Sequence, residues 1–407
     1  MKKAFVVLSA LGVACSACAA WYDNPTVKAS VVVDAATGNS DPHYINKSSD
    51  DGLLMVNLNS TAHYCATVLF SIRDLKSAMG EVSGLGTTVV GTSEDAYGDN
   101  WKGGAISSDL KLMIPGSGLG SDTSLIQTDR TAWLKGDGLY PLTFGDSHKP
   151  DGLDFGTGST CLYSNADGGS VLYRWTLPSV PYQSDANVLT VSASKQTSAS
   201  RIRNLSVHRV NGRELVYYGE GSGTTGRVWA MDVTDADANN WTEYEVVASG
   251  ELGEFKDITN VKLSNENSAV PVLYALSDAG KLAVCQLTHD GMDVLRVVRI
   301  LQKDDINGFA NVNNKFRNFE VSKDGSFAFF AHKTVAGVTT IKVVSDSAES
   351  GPASYCDSAA VALLASSESK VSVAVPTFLS RYISILDSAC LNRFNSSDPV
   401  GLSIIVR

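Results

Sequence analysis

The second half of the chain alternates apolar and polar residues in short runs, and each run ends in a turn rich in Gly, Asn or Asp. Alternation with a period of two places every second side chain on one face of a strand, which is typical of a half-buried β-strand. Dipeptides such as Asn211-Gly212 and Asp324-Gly325 supply the positive φ angles that two-residue hairpins need. The pattern therefore predicts many short antiparallel strands joined by tight turns.

This pattern returns with a period of about 56 residues. Asn204, Asn260 and Asn318 each open a short strand, at spacings of 56 and 58 residues. The second strand of each unit carries an aromatic residue, at Tyr163, Tyr218, Tyr274 and Phe330. A four-stranded sheet can bury both of its apolar faces only against neighbouring copies, so the repeat predicts an all-β protein, a β-propeller of four-stranded antiparallel blades. The length of 407 residues predicts seven blades, with six or eight as neighbouring counts.

The repeat is clearest between residues 150 and 345, and earlier parts of the chain depart from it. The Gly-rich stretch 84–120 is interpreted as a decorated blade or a long loop on one face. The segment His63–Val82 is predicted to start as a strand and to continue as a turn or helical piece from Arg73.

The two ends of the chain carry signals of their own. Residues 1–20 join two lysines to a short apolar run and a small-residue cleavage motif, which indicates a signal peptide, and Cys18 is the lipid anchor of an alternative lipoprotein signal. We expect an exported bacterial protein, periplasmic or extracellular, with an outer-membrane lipoprotein as the alternative and residues 21–407 as a single propeller domain. No later apolar run is long enough for a transmembrane helix. Strand-like segments at Lys28–Ala35 and Gly401–Arg407 predict that the ring closes there.

The charge balance narrows the classes of partner. The chain has 33 Lys and Arg against 43 Asp and Glu, a formal net charge of -10, whereas proteins that bind nucleic acid need a basic surface. We therefore expect a protein or carbohydrate partner and no nucleic acid.

None of the five cysteines that follow Cys18 forms a CxxC pair, which argues against a zinc or thioredoxin-like centre. Cys161 and Cys285 lie in apolar strand runs and are expected to be small buried hydrophobic residues. Cys356 and Cys390 are the favoured disulfide pair, since both lie near loops in the C-terminal part.

The stretch FEVSKDGSFAFFAHKTVAGVTTIKVV resembles a blade of the lactonase-like and YVTN-type bacterial propellers, with a strand, a Ser-x-Asp-Gly turn, an aromatic-rich strand and a Val-rich strand. GRVWAMDVTDADANNW is similar to the strand and turn of pyrroloquinoline-quinone-type repeats. The resemblance covers about residues 150–345. It implies the propeller architecture, and no catalytic residue of these families maps onto the chain.

Propellers bind ligands where inter-blade loops converge on the central channel. If the Asn-containing segments are innermost strands, polar residues at their starts meet at one channel mouth. The ligand-binding candidates are Arg203, Asn204, Asp257, Asn260, Arg317 and Asn318. The alternative is that the Asn side chains satisfy backbone groups at strand ends and the Arg side chains are solvated.

Other motifs predict no metal site and no cofactor. The segment Asp232–Trp241 contains acidic residues spaced like the start of a calcium loop. Counted from Asp235, however, Asn240 stands at the sixth place and Val246 at the twelfth, where Gly and an acidic residue are needed. The six histidines form no HxH or HExxH motif.

The leading hypothesis is a non-catalytic binding or scaffold module for a protein or glycan. The alternative is a propeller hydrolase or lyase, lactonase-like or glycosidase-like, with its site at the channel mouth; a quinone-dependent dehydrogenase is disfavoured. Three carboxylates in one pocket, or a His beside a carboxylate, would favour an enzyme.

Overall fold

The computed structural model describes residues 20–33, 41–59, 65–90, 101–102, 104–108, 112–114, 117–118, 123–127, 139–145, 148, 150–166, 168–178, 187–221, 226–253, 255–309 and 318–347. The expected signal peptide, the Cys18 anchor, the candidate residue Arg317, the Cys356–Cys390 pair and the segment 401–407 lie outside these residues. Within them, no helix is long and apolar enough to cross a membrane.

The secondary structure is almost entirely β. The strands are β1 (Pro25–Val32), β2 (Asp41–Lys47), β3 (Leu53–Asn59), β4 (Cys65–Ser71), β5 (Gly80–Val82), β6 (Thr87–Val90), β7 (Trp101–Lys102), β8 (Ala105–Ile106), β9 (Met113–Ile114), β10 (Ser117–Gly118), β11 (Thr123–Gln127), β12 (Leu139–Phe144), β13 (Pro150–Phe155), β14 (Cys161–Ala166), β15 (Val171–Thr176), β16 (Asn187–Gln196), β17 (Ile202–Val210), β18 (Arg213–Glu220), β19 (Val228–Asp232), β20 (Thr242–Val247), β21 (Ile258–Ser264), β22 (Val272–Ser277), β23 (Leu282–Leu287), β24 (Val294–Leu301), β25 (Asn318–Val321), β26 (Phe327–Lys333) and β27 (Thr339–Asp346). One α-helix, α1 (Ile72–Ser77), and two 3₁₀ turns, Ala238–Asn240 and Lys303–Asp305, complete the described elements.

These strands form five sheets of a β-propeller. Three have four strands, in the orders β2-β3-β4-β6, β17-β18-β19-β20 and β21-β22-β23-β24, and a fourth has the order β25-β26-β27-β1-β5. The fifth has ten strands, because the regular unit β13-β14-β15-β16 joins the shorter strands β7 to β12 through the parallel pair β12 and β16. The all-β propeller prediction is confirmed. Seven blades are not, since the described residues form five sheets.

The innermost strands define the channel. Strands β2, β8, β13, β17, β21 and β25 contact one another in turn and return to β2. The ten-stranded sheet therefore supplies an innermost strand at two places in this ring, β8 and β13. The predicted decorated stretch 84–120 corresponds in part to the short strands β7 to β10.

The N-terminal strand closes the ring. β1 pairs antiparallel with β27 and parallel with β5, so both of its edges are occupied. The prediction that Lys28–Ala35 takes part in closure is confirmed within the described residues. Its expected partner Gly401–Arg407 lies outside the described residues, and within them Thr339–Asp346 pairs with one edge of β1.

Local sequence signals explain the turns. Asn211 and Gly212 have φ of 47° and 93°, which is the left-handed pair of a hairpin turn between β17 and β18. Gly325 has φ of 67° in the Asp-Gly turn before β26. The helical piece predicted from Arg73 is α1, whose first backbone groups are capped by Ser71 Oγ accepting from Asp74 N at 3.3 Å.

The core lies between neighbouring sheets, as stacked blades require. The repeated aromatic residues all lie in second strands and are buried, at Tyr163, Tyr218, Tyr274 and Phe330. Cys161 and Cys285 are buried free thiols, as predicted.

Trp21 precedes β1 and anchors it. Its side chain is 0% exposed. The ring stacks on Tyr274 with centroids 6.0 Å apart and meets Phe330 edge-on at 5.8 Å, so it packs against β22 and β26 at once. Tyr274 belongs to the sheet β21-β22-β23-β24 and Phe330 to the next sheet, which contains β1, and Trp21 therefore connects these two sheets.

We expect Trp21→Ala to lower the free energy of unfolding by about 3–5 kcal/mol, since it removes a fully buried aromatic side chain and leaves a cavity. Chemical denaturation of the purified chain measures this. Val335→Ala is the control, because Val335 is 66% exposed and its loss should change little. A loss below about 1 kcal/mol for Trp21→Ala would contradict the anchoring role.

Candidate functional site

Five innermost strands each place a polar side chain at one level of the channel; four of these side chains are buried and that of Asp154 is partly exposed. These residues are Asn46 on β2, Asp154 on β13, Ser206 on β17, Lys262 on β21 and Glu320 on β25. Three of them stand two places after an Asn that opens a repeat: Ser206 follows Asn204, Lys262 follows Asn260 and Glu320 follows Asn318. The propeller repeat thus brings two carboxylates, an ammonium, an amide and a hydroxyl around one axis.

A cavity of about 30 Å³ lies at this level, which is room for one or two water molecules. It is lined by Asn46, Lys47, Ser49, Ile106, Ser108, Asp154, Phe155, Gly156, Thr157, Ser206, Val207, His208, Lys262, Glu266 and Glu320. Ser49 is exposed, so the cavity reaches the surface on the face where the innermost strands end. Three carboxylates, those of Asp154, Glu266 and Glu320, line this pocket together with His208. Such an arrangement favours an enzyme.

A buried ion pair joins the neighbouring innermost strands β21 and β25. Lys262 Nζ lies 2.7 Å from Glu320 Oε2, and both side chains are 2% exposed. The same ammonium donates to Asn46 Oδ1 at 3.1 Å, and Asn46 Nδ2 donates in turn to the carbonyl of Gly104 at 2.9 Å. An ammonium has three donors, and these contacts use two of them.

Asp154 is the carboxyl best suited to exchange protons near neutral pH. It accepts from the backbone N–H groups of Val207 at 2.8 Å and Phe155 at 3.0 Å. Burial raises the pKa of Asp154 to about 6, against the opposing charge of Lys262. Its carboxyl therefore changes its protonation state between mildly acidic and neutral pH.

His208 links a hydroxyl to a carboxylate. Its Nδ1 lies 2.6 Å from Glu266 Oε1, and its Nε2 lies 3.0 Å from Ser206 Oγ. Burial alone would raise the pKa of Glu266, but the neighbouring charge and hydrogen bond of His208 hold it below its usual value. Glu266 is thus an ionised partner that accepts from the imidazole and orients it.

The opposite end of the channel holds three of the predicted candidates. Asn204 Nδ2 donates to Asn260 Oδ1 at 3.4 Å, and Tyr44 Oη donates to Asn204 Oδ1 at 3.2 Å across the ring. Asn318 Nδ2 donates to the carbonyl of Pro42 at 3.2 Å. The three Asn residues therefore occupy innermost strands of consecutive sheets, as the repeat predicts.

The remaining candidates do not join this group in the described residues. Arg203 is half-buried, and its Cγ lies so close to Gly221 that any side chain at position 221 would clash with it. Asp257 has φ of 48°, and its carbonyl accepts from Asp278 N at 2.8 Å in the turn before β21. The ligand-binding role of all six candidates stays a prediction.

The sequence interpretation missed the residues of the cavity itself. Lys262 and Glu320 carry the signal that could have found them: each is a charge at the centre of a strand whose other residues are mostly buried. His208 and Glu266 lie 58 residues apart on different sheets, so no local motif joins them. The calcium-like loop uses its carboxylates internally, since Asp235 and Asp237 accept from backbone N–H groups two residues ahead at 2.9 Å each.

Comparison with known proteins gives an architecture. No family model and no curated protein sequence matches the chain. Among solved structures, a 6-phosphogluconolactonase candidate from Bacteroides fragilis has 13% identity and a TM-score of 0.49, with 77% of this chain and 86% of that chain covered. The periplasmic gluconolactonase PpgL of Pseudomonas aeruginosa has 12% identity and a TM-score of 0.43, with 65% and 70% covered.

The similar structures also include a propeller of another kind. The β-propeller domain of Cps50 (Swd1) from Myceliophteria thermophila has 9% identity and a TM-score of 0.43, with 77% of this chain and 88% of that chain covered. The similarity to these structures lies in the propeller fold and does not decide the function of the chain.

The raised pKa of Asp154 predicts how stability changes with pH. A carboxyl whose pKa is higher in the folded state than its unfolded value of about 3.9 binds its proton more tightly when folded. Its contribution is present below about pH 4 and is lost as the pH rises through about 6. We expect this loss to amount to as much as ~3 kcal/mol for a shift of this size.

Asp154→Asn removes this titration, so the unfolding free energy of the variant should fall less than that of the wild type between pH 4 and pH 6.5. Urea denaturation at several pH values gives both curves. Asp50→Asn is the control, because Asp50 is exposed. Parallel curves for wild type and Asp154→Asn would show that Asp154 does not titrate in this range.

Proposed function

We propose that the protein is a propeller hydrolase that cleaves an ester or lactone bond at the channel cavity. The observation that carries the proposal is the contact series from Ser206 Oγ through His208 to Glu266, in a cavity that also holds Asp154 and Lys262. A base oriented by a carboxylate, beside a cation and a second carboxyl of pKa about 6, is the set of groups that hydrolysis of an acyl bond uses.

Each group has a role that follows from its surroundings. His208 takes the proton from the attacking O–H group, and Glu266 stabilises the imidazolium that results. Lys262 has donor capacity beyond Glu320 and Asn46 and stabilises the oxygen that becomes negative in the transition state. Asp154 supplies a proton to the departing oxygen, since its pKa of about 6 keeps part of it protonated near neutral pH.

The size of the cavity limits the substrate. With about 30 Å³ of space it admits the reacting end of a molecule, while the rest lies on the face around Ser49 and Ser108. The lining combines polar side chains such as Ser206 and Lys262 with apolar ones such as Phe155, and we therefore propose a small hydroxylated acyl compound, such as a sugar-derived lactone, as the substrate class.

A second candidate function is the binding module for a protein or glycan. It is favoured by Asn260, which is 3% exposed and whose Nδ2 has no hydrogen-bond partner within the described residues. A buried amide donor without a partner costs about 1–3 kcal/mol, and a ligand oxygen at this end of the channel would satisfy it. Export through residues 1–20 stays a prediction in either case.

The hydrolase is tested by turnover of aryl acetates and of five- and six-membered sugar lactones. We expect His208→Gln to lower kcat by about 100-fold or more with little change in KM, because it removes the general base and leaves the cavity in place. His289→Gln is the matched control, since His289 is exposed. If the wild type hydrolyses none of these compounds, the hydrolase proposal is wrong and the binding module is left.

A further inference from the structure

Ser206 lies in the position of a nucleophile relative to His208. Its Oγ is 3.0 Å from His208 Nε2, while His208 Nδ1 is 2.6 Å from Glu266 Oε1. Ser206 and His208 are two residues apart on β17, so the strand period places them on the same face. This order of nucleophile, base and orienting carboxylate is the one by which a serine is activated for covalent catalysis.

We propose that Ser206 is the nucleophile of this site and forms an acyl-enzyme with ester or lactone substrates. The proposal rests on the hydrolase function and adds the identity of the attacking oxygen. The other cavity hydroxyls with described contacts are engaged elsewhere: Ser108 Oγ lies 2.7 Å from Ser159 Oγ, and Thr157 Oγ1 donates to Glu214. Among the cavity residues, Ser206 is the hydroxyl for which a His contact is described.

The hydroxyl of Ser206 has two acceptors within reach. Besides His208 Nε2, the carbonyl of Val261 lies 2.8 Å from Ser206 Oγ. A hydroxyl proton rotates between acceptors, so Val261 holds it in the resting site and His208 receives it when a substrate is bound. Lys262, the next residue on β21, lines the same cavity and is the cation for the developing oxyanion.

The acylation step then balances as follows. Ser206 Oγ bonds to the carbonyl carbon as its proton passes to His208 Nε2, and the carbon–oxygen bond of the ester or lactone breaks. The departing alkoxide takes a proton from Asp154, which the imidazolium of His208 then reprotonates, or directly from that imidazolium, so that His208 is neutral again. Water next gives a proton to His208 and attacks the acyl carbon, and Ser206 Oγ leaves with the proton returned to it, so that one water is consumed for each bond cleaved.

Methanesulfonyl fluoride is the probe, because its reactive group is small enough for a cavity of about 30 Å³. It transfers a methanesulfonyl group to an activated serine oxygen and releases fluoride and a proton. We expect peptide mass spectrometry of the full chain to find the modification on Ser206 and to find much slower modification in His208→Gln. Ser264→Ala is the matched control, since Ser264 is a buried serine at the end of the neighbouring strand that bonds to Tyr274 Oη at 3.0 Å.

Turnover separates this proposal from the function on which it rests. We expect Ser206→Ala to lose at least about 100-fold in kcat and Ser264→Ala to keep wild-type turnover. Wild-type turnover in Ser206→Ala, or an unmodified Ser206 in an active wild type, would mean that water attacks directly; the nucleophile assignment would then be wrong and the hydrolase would stand. A wild type without turnover and without modification would overturn both.

Discussion

The pairing of β1 with β27 is the constraint on which the rest of the structure depends. Every blade of a propeller needs a neighbour on each face, and a ring left open at one point exposes two sheet edges and two apolar faces. The chain meets this need by returning its N-terminal strand to the last sheet, with seven matched residue pairs along β1. Trp21 then packs on Tyr274 of the preceding sheet and on Phe330 of the closing sheet, so the sheet that receives β1 is held by backbone pairing and by aromatic burial together.

Closure also creates the candidate site. Once the innermost strands are held in a ring, matching residues of successive repeats meet at one level, and Lys262 comes within 2.7 Å of Glu320. Removing either partner would leave a buried charge without compensation, which is far more costly than the pair itself. Exchanging both partners of a buried ion pair for apolar residues is often neutral or stabilising. The Lys262–Glu320 pair is therefore weak evidence of a stabilising role and stronger evidence of a role in specificity or function.

The sequence predicted the features that repeat and missed those that depend on register. The period of Asn204, Asn260 and Asn318, the hairpin turns and the start of α1 follow from local patterns. The side chains that face the channel depend on backbone irregularities, which the alternation of apolar and polar residues does not reveal. Register shifts occur near the start of the innermost strands β2, β13, β17 and β21, for example between Ile258 and Asn260. Such shifts change which side chains face the channel, and so the cavity could not be assembled from spacing alone.

A structural role and a catalytic role for the cavity make different demands on Asp154. A cluster that only holds strands together gains most when each carboxylate has a cationic partner, as Glu320 has in Lys262. The hydrogen bonds of Asp154 within the described residues come instead from backbone N–H groups, and burial raises its pKa to about 6. A carboxyl that changes its charge near neutral pH weakens a structural network, but it is what proton transfer requires beside a His–Glu pair. This difference favours chemistry at the cavity over a purely structural arrangement of charges.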